Sequence, residues 1–271
     1  MKKLILFLTV LCLFTVFRGV TEAADRRAET MGESSRNGRT LQLDLHSNPS
    51  TGFTWMVVYQ SDNIVQGERK YQGTDNNAEA TTGGSGILHL EFTVTDGKDA
   101  YLVLKNARPW EEGETGAYDS YSIKTDKDNS LDINVRQRIF HRDFRFEKNA
   151  PDRKRPEVWG KRWFVAHVPT DWECEKYAGE DLLGFKVRPK GKTEYCRIGF
   201  IPPSAGYGLD EHSKKIKITD VEYKMGPIGE GKPVRYLFNE KGICWLADKS
   251  DWQQEYFLDI IEILDSAKVW E

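Results

Sequence analysis

Three short segments in the first half of the chain hold most of its chemical information. They read Asn48-Pro49-Ser50-Thr51-Gly52-Phe53, then Gly84-Ser85-Gly86, then Arg108-Pro109-Trp110. In the first, Pro49 fixes φ and Gly52 permits positive φ. The result is a stiff wedge with the Ser50 and Thr51 hydroxyls and open backbone amides at its tip. Phe53 and Trp55 alternate with Thr54, so both are expected to face the core and anchor the wedge. The second segment, preceded by Gly83, has almost no side chain and can lie along a partner's backbone. The third sets a tryptophan, stiffened by a proline, beside an arginine, and Trp and Arg are enriched among interface hot spots. This is the chemistry of recognition. Each segment alone is an ordinary turn; three in this order between β-patterned runs read as one binding surface.

Residues for bond-making chemistry are less organised. Cys174, Cys196 or Cys244 could in principle pair with His167 or His212 as nucleophile and base, but no flanking motif supports it. The cysteines lack CxxC spacing and the histidines are scattered, which argues against a metal site. Asp171-Trp172-Glu173 and Asp210-Glu211 read as solvated loops, and no phosphate-binding loop, dinucleotide fingerprint or serine elbow is present. The expectation is a protein with no catalytic residue, no metal and no cofactor. Glu111-Glu112-Gly113-Glu114 places an acidic flank beside Trp110, suited to tuning the on-rate of a partner more than its affinity.

The elements that must position these loops are mostly strands. Leu41, Leu43 and Leu45 alternate with polar residues, as do Leu88, Leu90, Phe92 and Val94. Thr95-Asp96-Gly97 reads as a hairpin turn after the second run. Tyr101 to Leu104 is a continuous apolar run, the pattern of a strand buried on both faces. Tyr121 to Lys124 and Leu131 to Val135 complete a set with no helical pattern between them, which predicts a β-sandwich of about 100 residues. Further strand-like runs follow at 163–168, 185–187, 195–201, 216–223, 234–238 and 243–246, with Asn239-Glu240-Lys241-Gly242 as a hairpin signal. Ser250-Asp251-Trp252-Gln253 has capping-box form. Trp252, Tyr256, Phe257, Ile260, Ile261, Ile263 and Leu264 then recur at helical spacing. That apolar face needs a sheet to cover it.

The chain has 271 residues, 39% hydrophobic and 30% charged, an ordinary globular composition. Its start is a separate matter. Met1-Lys2-Lys3, the apolar run from Leu4 to Phe17 and the small residues of Thr21-Glu22-Ala23 form a secretory signal, with cleavage expected after Ala23. The run is shorter than the roughly 20 residues a membrane span needs, so no span is expected after cleavage. Removing Lys2, Lys3, Arg18 and Glu22 takes the formal charge from −3 to −5. A mildly acidic exported protein is a poor nucleic-acid binder. The expected location is secreted or periplasmic. That compartment is oxidising, so the remaining cysteines permit one disulfide in any of three pairings, or three buried thiols.

Residues 40–136 resemble the chagasin family, proteinaceous inhibitors of papain-like cysteine proteases. The family's loops are Asn-Pro-Thr-Thr-Gly-Tyr-x-Trp, Gly-x-Gly and Arg-Pro-Trp/Phe. Here the first runs from Asn48 to Trp55, with Ser50 for the first threonine and Phe53 for the tyrosine; the second is Gly84-Ser85-Gly86; the third is matched in full by Arg108-Pro109-Trp110. The resemblance implies an immunoglobulin-like sandwich whose loops straddle a protease cleft. The Ser50-Thr51 tip would sit over the catalytic Cys/His pair, and the other two loops would grip its sides. Inhibition would be occlusion without covalent chemistry.

The expected organisation is therefore a signal peptide over 1–23, a flexible lead-in over 24–39 and an immunoglobulin-like β-sandwich over 40–136. A basic linker over 137–156 would then lead to an α+β domain over 157–271, with the C-terminal helix packed on an antiparallel sheet. The C-terminal pattern bears a loose resemblance to small exported PsbP-like domains, with no motif behind it. The competing function is a non-inhibitory envelope adhesion or assembly protein that uses the sandwich as a binding module.

Overall fold

The computed structural model describes residues 33–73, 84–111, 115–150, 161–179, 182–202, 213–227, 235–247 and 255–270. The expected signal peptide, Gly83, His212, the linker residues 151–156 and the capping-box residues 250–253 lie outside them. The described chain is mostly β-sheet with few helices.

A first sheet has the order β1-β2-β5-β4, from β1 (Glu33–Asn37), β2 (Thr40–Ser47), β4 (Ile64–Gly73) and β5 (Gly86–Val94). The period-two pattern sets its register. Leu41 lies opposite Phe92, Leu43 opposite Leu90 and Leu45 opposite Leu88, all buried on one face. A second sheet has the order β3-β6-β7-β8, from β3 (Thr54–Gln60), β6 (Ala100–Ala107), β7 (Ala117–Thr125) and β8 (Leu131–Ile139). Leu102, Val103 and Leu104 are buried in succession, as a strand covered on both faces requires. Thr95-Asp96-Gly97 is not a hairpin turn. It leads from β5 in the first sheet to β6 in the second, and each strand finds its partners elsewhere.

Residues 137–149, expected as the start of a linker, are ordered structure. The end of β8 is followed by a short helix α1 (Phe140–Asp143) and by β9 (Phe144–Asn149), which pairs with β10 (Trp163–Pro169). The lead-in likewise contains β1, an edge strand of polar sequence. With β18 (Lys268–Trp270), β9 and β10 form a three-stranded sheet in the order β18-β10-β9. A seven-stranded antiparallel sheet comprises β11 (Trp172–Ala178), β12 (Leu183–Pro189), β13 (Cys196–Phe200), β14 (Lys214–Ile218), β15 (Val221–Pro227), β16 (Arg235–Asn239) and β17 (Ile243–Ala247), in the order β11-β12-β13-β17-β16-β15-β14. The Asn239–Gly242 turn joins β16 to β17 as expected, with the Asn239 side-chain oxygen accepting from the amides of Lys241 and Ile243. The helix α2 (Phe257–Ser266) packs on β10 and touches β3, β6 and β14.

Two compact units interleave along the chain. One takes the residues up to Phe53 with Asn63–Lys98 and Thr125–Asp132; the other takes Thr54–Asp62, Asp99–Lys124 and everything from Ile133. The units therefore do not follow the sequential boundaries 40–136 and 157–271. In the second unit one hydrophobic cluster runs from Tyr59, Val103 and Tyr118 through Phe140, Phe144 and Phe164 to Trp172, Trp245 and the Ile260–Leu264 side of α2. Phe257 meets the rings of Tyr59 and Tyr101 at centroid distances of 5.1 and 5.3 Å.

The polar side of α2 is also buried. Asp259, Glu262 and Asp265 recur at three-residue spacing on one face. They meet Lys105 of β6, Tyr118 and Ser120 of β7, and Arg136 and Arg138 of β8. Burial works to raise the Asp265 carboxyl, but the Lys105 ammonium, with hydrogen bonds from Lys105, Thr219 and Tyr118, outweighs it and holds Asp265 below the usual carboxylate range.

Candidate binding loops

The first loop is a preformed turn. Pro49–Thr51 make one 3-10 turn between Asn48 and Gly52, closed by backbone bonds from Thr51 to Asn48 and from Gly52 to Pro49, both 3.1 Å. Gly52 stands at φ 80°, the left-handed geometry expected from its sequence position. The Thr51 hydroxyl donates to the Asn48 carbonyl at 2.7 Å, and the Ser50 hydroxyl to the Asn48 side-chain oxygen at 2.5 Å. Pro49, Ser50 and Thr51 are exposed, Asn48 and Gly52 half-buried. Of the two expected anchors, Trp55 is buried, whereas Phe53 is only half-buried.

The second loop lies beside the first at the same end of the first sheet. Ser47, the last residue of β2, is in register with Gly86, the first of β5, and Ser85 Oγ lies 2.9 Å from His46 Nε2. Sequence reasoning missed the residue that holds this loop, Tyr71. Its hydroxyl donates to the Gly84 carbonyl at 2.7 Å, and a Cβ at Gly86 would come within 2.4 Å of the Gln72 carbonyl and 2.6 Å of the Tyr71 hydroxyl. The bareness of Gly86 thus serves the protein's own packing. Tyr71 carries no sequence signal because it lies in β4, where every residue after Ile64 is exposed and no alternation shows.

The third loop leaves β6 at Ala107, whose register partner is Thr54, the residue that follows Phe53 along the chain. Pro109 and Trp110 are exposed, Trp110 at 70%, the most of any large apolar residue described. The Arg108 guanidinium donates to Glu111 at 2.5 Å, and the Thr115 hydroxyl donates to the other Glu111 oxygen at 2.6 Å. The bond from Thr115, then that from Arg108, hold the Glu111 carboxyl below its ordinary range. The first acid of the expected acidic flank is therefore a brace across the base of the Trp110 loop; Glu112 to Glu114 lie outside the described residues.

The cysteines are built into the sheets. Cys174 and Cys196 both face Val187, one from each side, so two strand spacings (roughly 9–10 Å) separate them, beyond disulfide reach. Cys196 shares the core face of β13 with Ile198, whereas Cys244 lies opposite Gly199 and so on the other face. No disulfide links the three. Burial, then the nearby Glu147 charge, push the Cys174 thiol up to about 12, the reverse of an activated nucleophile. Burial, aided by Lys105 and Lys268, lowers His167 and keeps it neutral. Among the described residues no group of three or more His, Cys, Asp or Glu is placed to hold a metal, and no helix is long and apolar enough to cross a membrane.

Residues 34–124 match the family model described as chagasin family peptidase inhibitor I42, a span that contains all three loops. Amoebiasin-1 of Entamoeba histolytica is 32% identical over 73 residues, which cover 27% of this chain and 69% of that protein. The solution structure of Amebosin matches at 30% identity over 27% of this chain and 68% of that one, with a TM-score of 0.23.

Proposed function

This chain belongs to the chagasin family of peptidase inhibitors, and from that membership we propose that it blocks papain-like cysteine proteases by seating three loops in and beside the active-site cleft. Members of this family are inhibitors and not enzymes. The Ser50-Thr51 tip enters the cleft over the catalytic pair, Gly84-Ser85-Gly86 lies along one wall, and Arg108-Pro109-Trp110 grips the other. The inhibitor acts outside the cytoplasm after its signal segment is removed at Ala23.

The observation that carries this reading is the state of the loops. Motifs in the family's order coincide with braced turns, two of them with exposed tips: the Asn48–Gly52 turn closes on itself, Tyr71 ties down the half-buried Gly84, and Glu111 braces Arg108 beneath an exposed Trp110. Turns already set in the free protein lose little freedom on binding, which favours affinity. A wedge of this kind offers no extended peptide to the catalytic cysteine, so it blocks without being cut.

Titration of the mature protein against papain, read with a fluorogenic peptide, tests the proposal. Loss of activity at or below micromolar inhibitor is expected. Full papain activity at that concentration would sink it and favour the adhesion or assembly role.

A further inference from the structure

The second loop is held from both faces of the first sheet. Tyr71, in register with Leu88, lies on the face that carries the leucines, and its hydroxyl donates to the Gly84 carbonyl. The hold on the opposite face is His46. It stands opposite Ile87 in the β2-β5 ladder, and Ser85 precedes Ile87 by two residues. Imidazole and hydroxyl are therefore diagonal neighbours on one face, with Ser85 Oγ 2.9 Å from His46 Nε2. His46 is exposed and Ser85 half-buried, so the pair is open to protons from solvent.

The surroundings of the pair are of mixed charge. Asp44 of β2 and His89 of β5 share the face and are bonded to each other at 2.7 Å. Lys70 of β4 is in register with His89, and Glu33 of β1 is in register with Asp44. Glu91 lies further along β5, beside Gln42. Among these groups His46 is the titratable one bonded to a loop residue.

We propose that His46 is a positioning residue for the second loop and makes the grip of that loop on a protease depend on pH, tightening it in acid. The inference rests on the function proposed above. Histidine changes its charge between about pH 5 and 8. A neutral imidazole gives or receives the bond at Nε2 according to its tautomer, whereas an imidazolium only gives it. Protonation thus leaves the Ser85–His46 bond one direction in place of two, with Ser85 as acceptor. The bond also becomes charge-assisted, about twice as strong as a neutral one. The loop is then held more firmly before it meets a partner and loses less freedom on binding.

The test uses the full mature protein and papain as probe. Inhibition constants of the wild type and His46→Gln are measured side by side across this pH range, so that the enzyme's own titration cancels in their ratio. The variant-to-wild-type ratio should rise about threefold or more from pH 8 to pH 5. A merely structural role for His46 would weaken inhibition by one factor at every pH. In a Ser85→Ala background the same substitution should leave the ratio flat. A flat ratio with Ser85 present, or a rise that persists without its hydroxyl, would overturn the proposal and leave the loop mechanism standing. Absence of inhibition by the wild type at every pH would overturn the loop mechanism, and this inference with it.

Discussion

The carboxylate of Glu262, a side chain with no exposed surface, receives Arg136 on one oxygen at 2.9 Å and Arg138 on the other at 3.1 Å. Asp259, one turn earlier on α2, takes the same two guanidiniums, and the Ser120 hydroxyl completes the Glu262 shell. A helix that looks amphipathic is thus buried on both sides, by apolar packing on one and by three cations of the β3-β6-β7-β8 sheet on the other. Burial of charge costs stability unless every partner is in place. Glu262→Ala leaves the two guanidiniums with Asp259 as their one shared carboxylate on α2. A loss of roughly 3–5 kcal/mol is expected, read as a fall in the thermal midpoint on the order of 10 °C. A fall of only a degree or two would show that water or rearrangement replaces the pairing.

Asp119 responds to pH in the opposite sense from Asp265. It lies on the face of β7 away from Tyr118 and Ser120, buried, with Gln137 donating at 3.1 Å. Burial raises its carboxyl to about 7, and the Gln137 bond offsets only part of this. With the folded value above the unfolded one, the native state keeps its proton longer. Its contribution is complete below about pH 4 and is lost as pH rises through about 7, by up to roughly 4 kcal/mol. Asp119→Asn should remove this loss, so the variant gains on the wild type between pH 5 and 8 in thermal melts. Asp265, whose value is lowered, contributes above the unfolded carboxylate range and loses that contribution as acid is added. A wild-type midpoint that climbs steadily to pH 8 would contradict the assignment to Asp119.

Loop contacts and loop supports separate in a paired measurement. Trp110→Ala removes an exposed side chain; the inhibition constant for papain should rise about 30-fold or more, with the melting midpoint within a degree or two. Replacing Ser50 and Thr51 by glycine should act in the same direction. Gly86→Ala pushes a methyl group into the Gln72 carbonyl and Tyr71, and should lower stability by about 2 kcal/mol or more. Inhibition by Trp110→Ala equal to wild type would remove the third loop from the mechanism.

The cysteines give a chemical check on the fold. Cys174, Cys196 and Cys244 should react with Ellman's reagent slowly in the native protein and fully in denaturant. Prior reduction should not raise the denatured count. A rise of two thiols on reduction would mean a disulfide, and hence a different register in the β11-β12-β13-β17 part of the sheet.

Much of this architecture could be read from the residues, wherever one face of an element is wet and the other dry. Leu41-Leu43-Leu45 and Leu88-Leu90-Phe92 announce β2 and β5 by period two, and Ile260, Ile261, Ile263 and Leu264 announce α2. The Asn48–Gly52 turn was legible because proline and glycine fix its shape locally. What escaped depends on distant partners. The β1 and β4 strands are polar and take their structure from hydrogen bonds to β2 and β5. The Phe140–Asn149 stretch reads as linker because its charges are dense, yet Phe140 and Phe144 anchor it in a core built by residues far along the chain. Nothing local to Asp259, Glu262 and Asp265 reveals that Lys105, Arg136 and Arg138 lie across from them.

The strand β6 carries Lys105, paired with Asp265 of the last helix, two residues before the Ala107 from which the Trp110 loop departs. The portion of this chain that matches the family is consequently packed against its C-terminal segments. Cut at the limit of the family match, it would lay Tyr59, Val103 and Tyr118 open to water and strand Lys105 without its counter-ion, a sticky, weakly folded fragment. The C-terminal segments have turned what could have been an outer wall into an interior one, and the Trp110 loop departs from a strand that those segments cover.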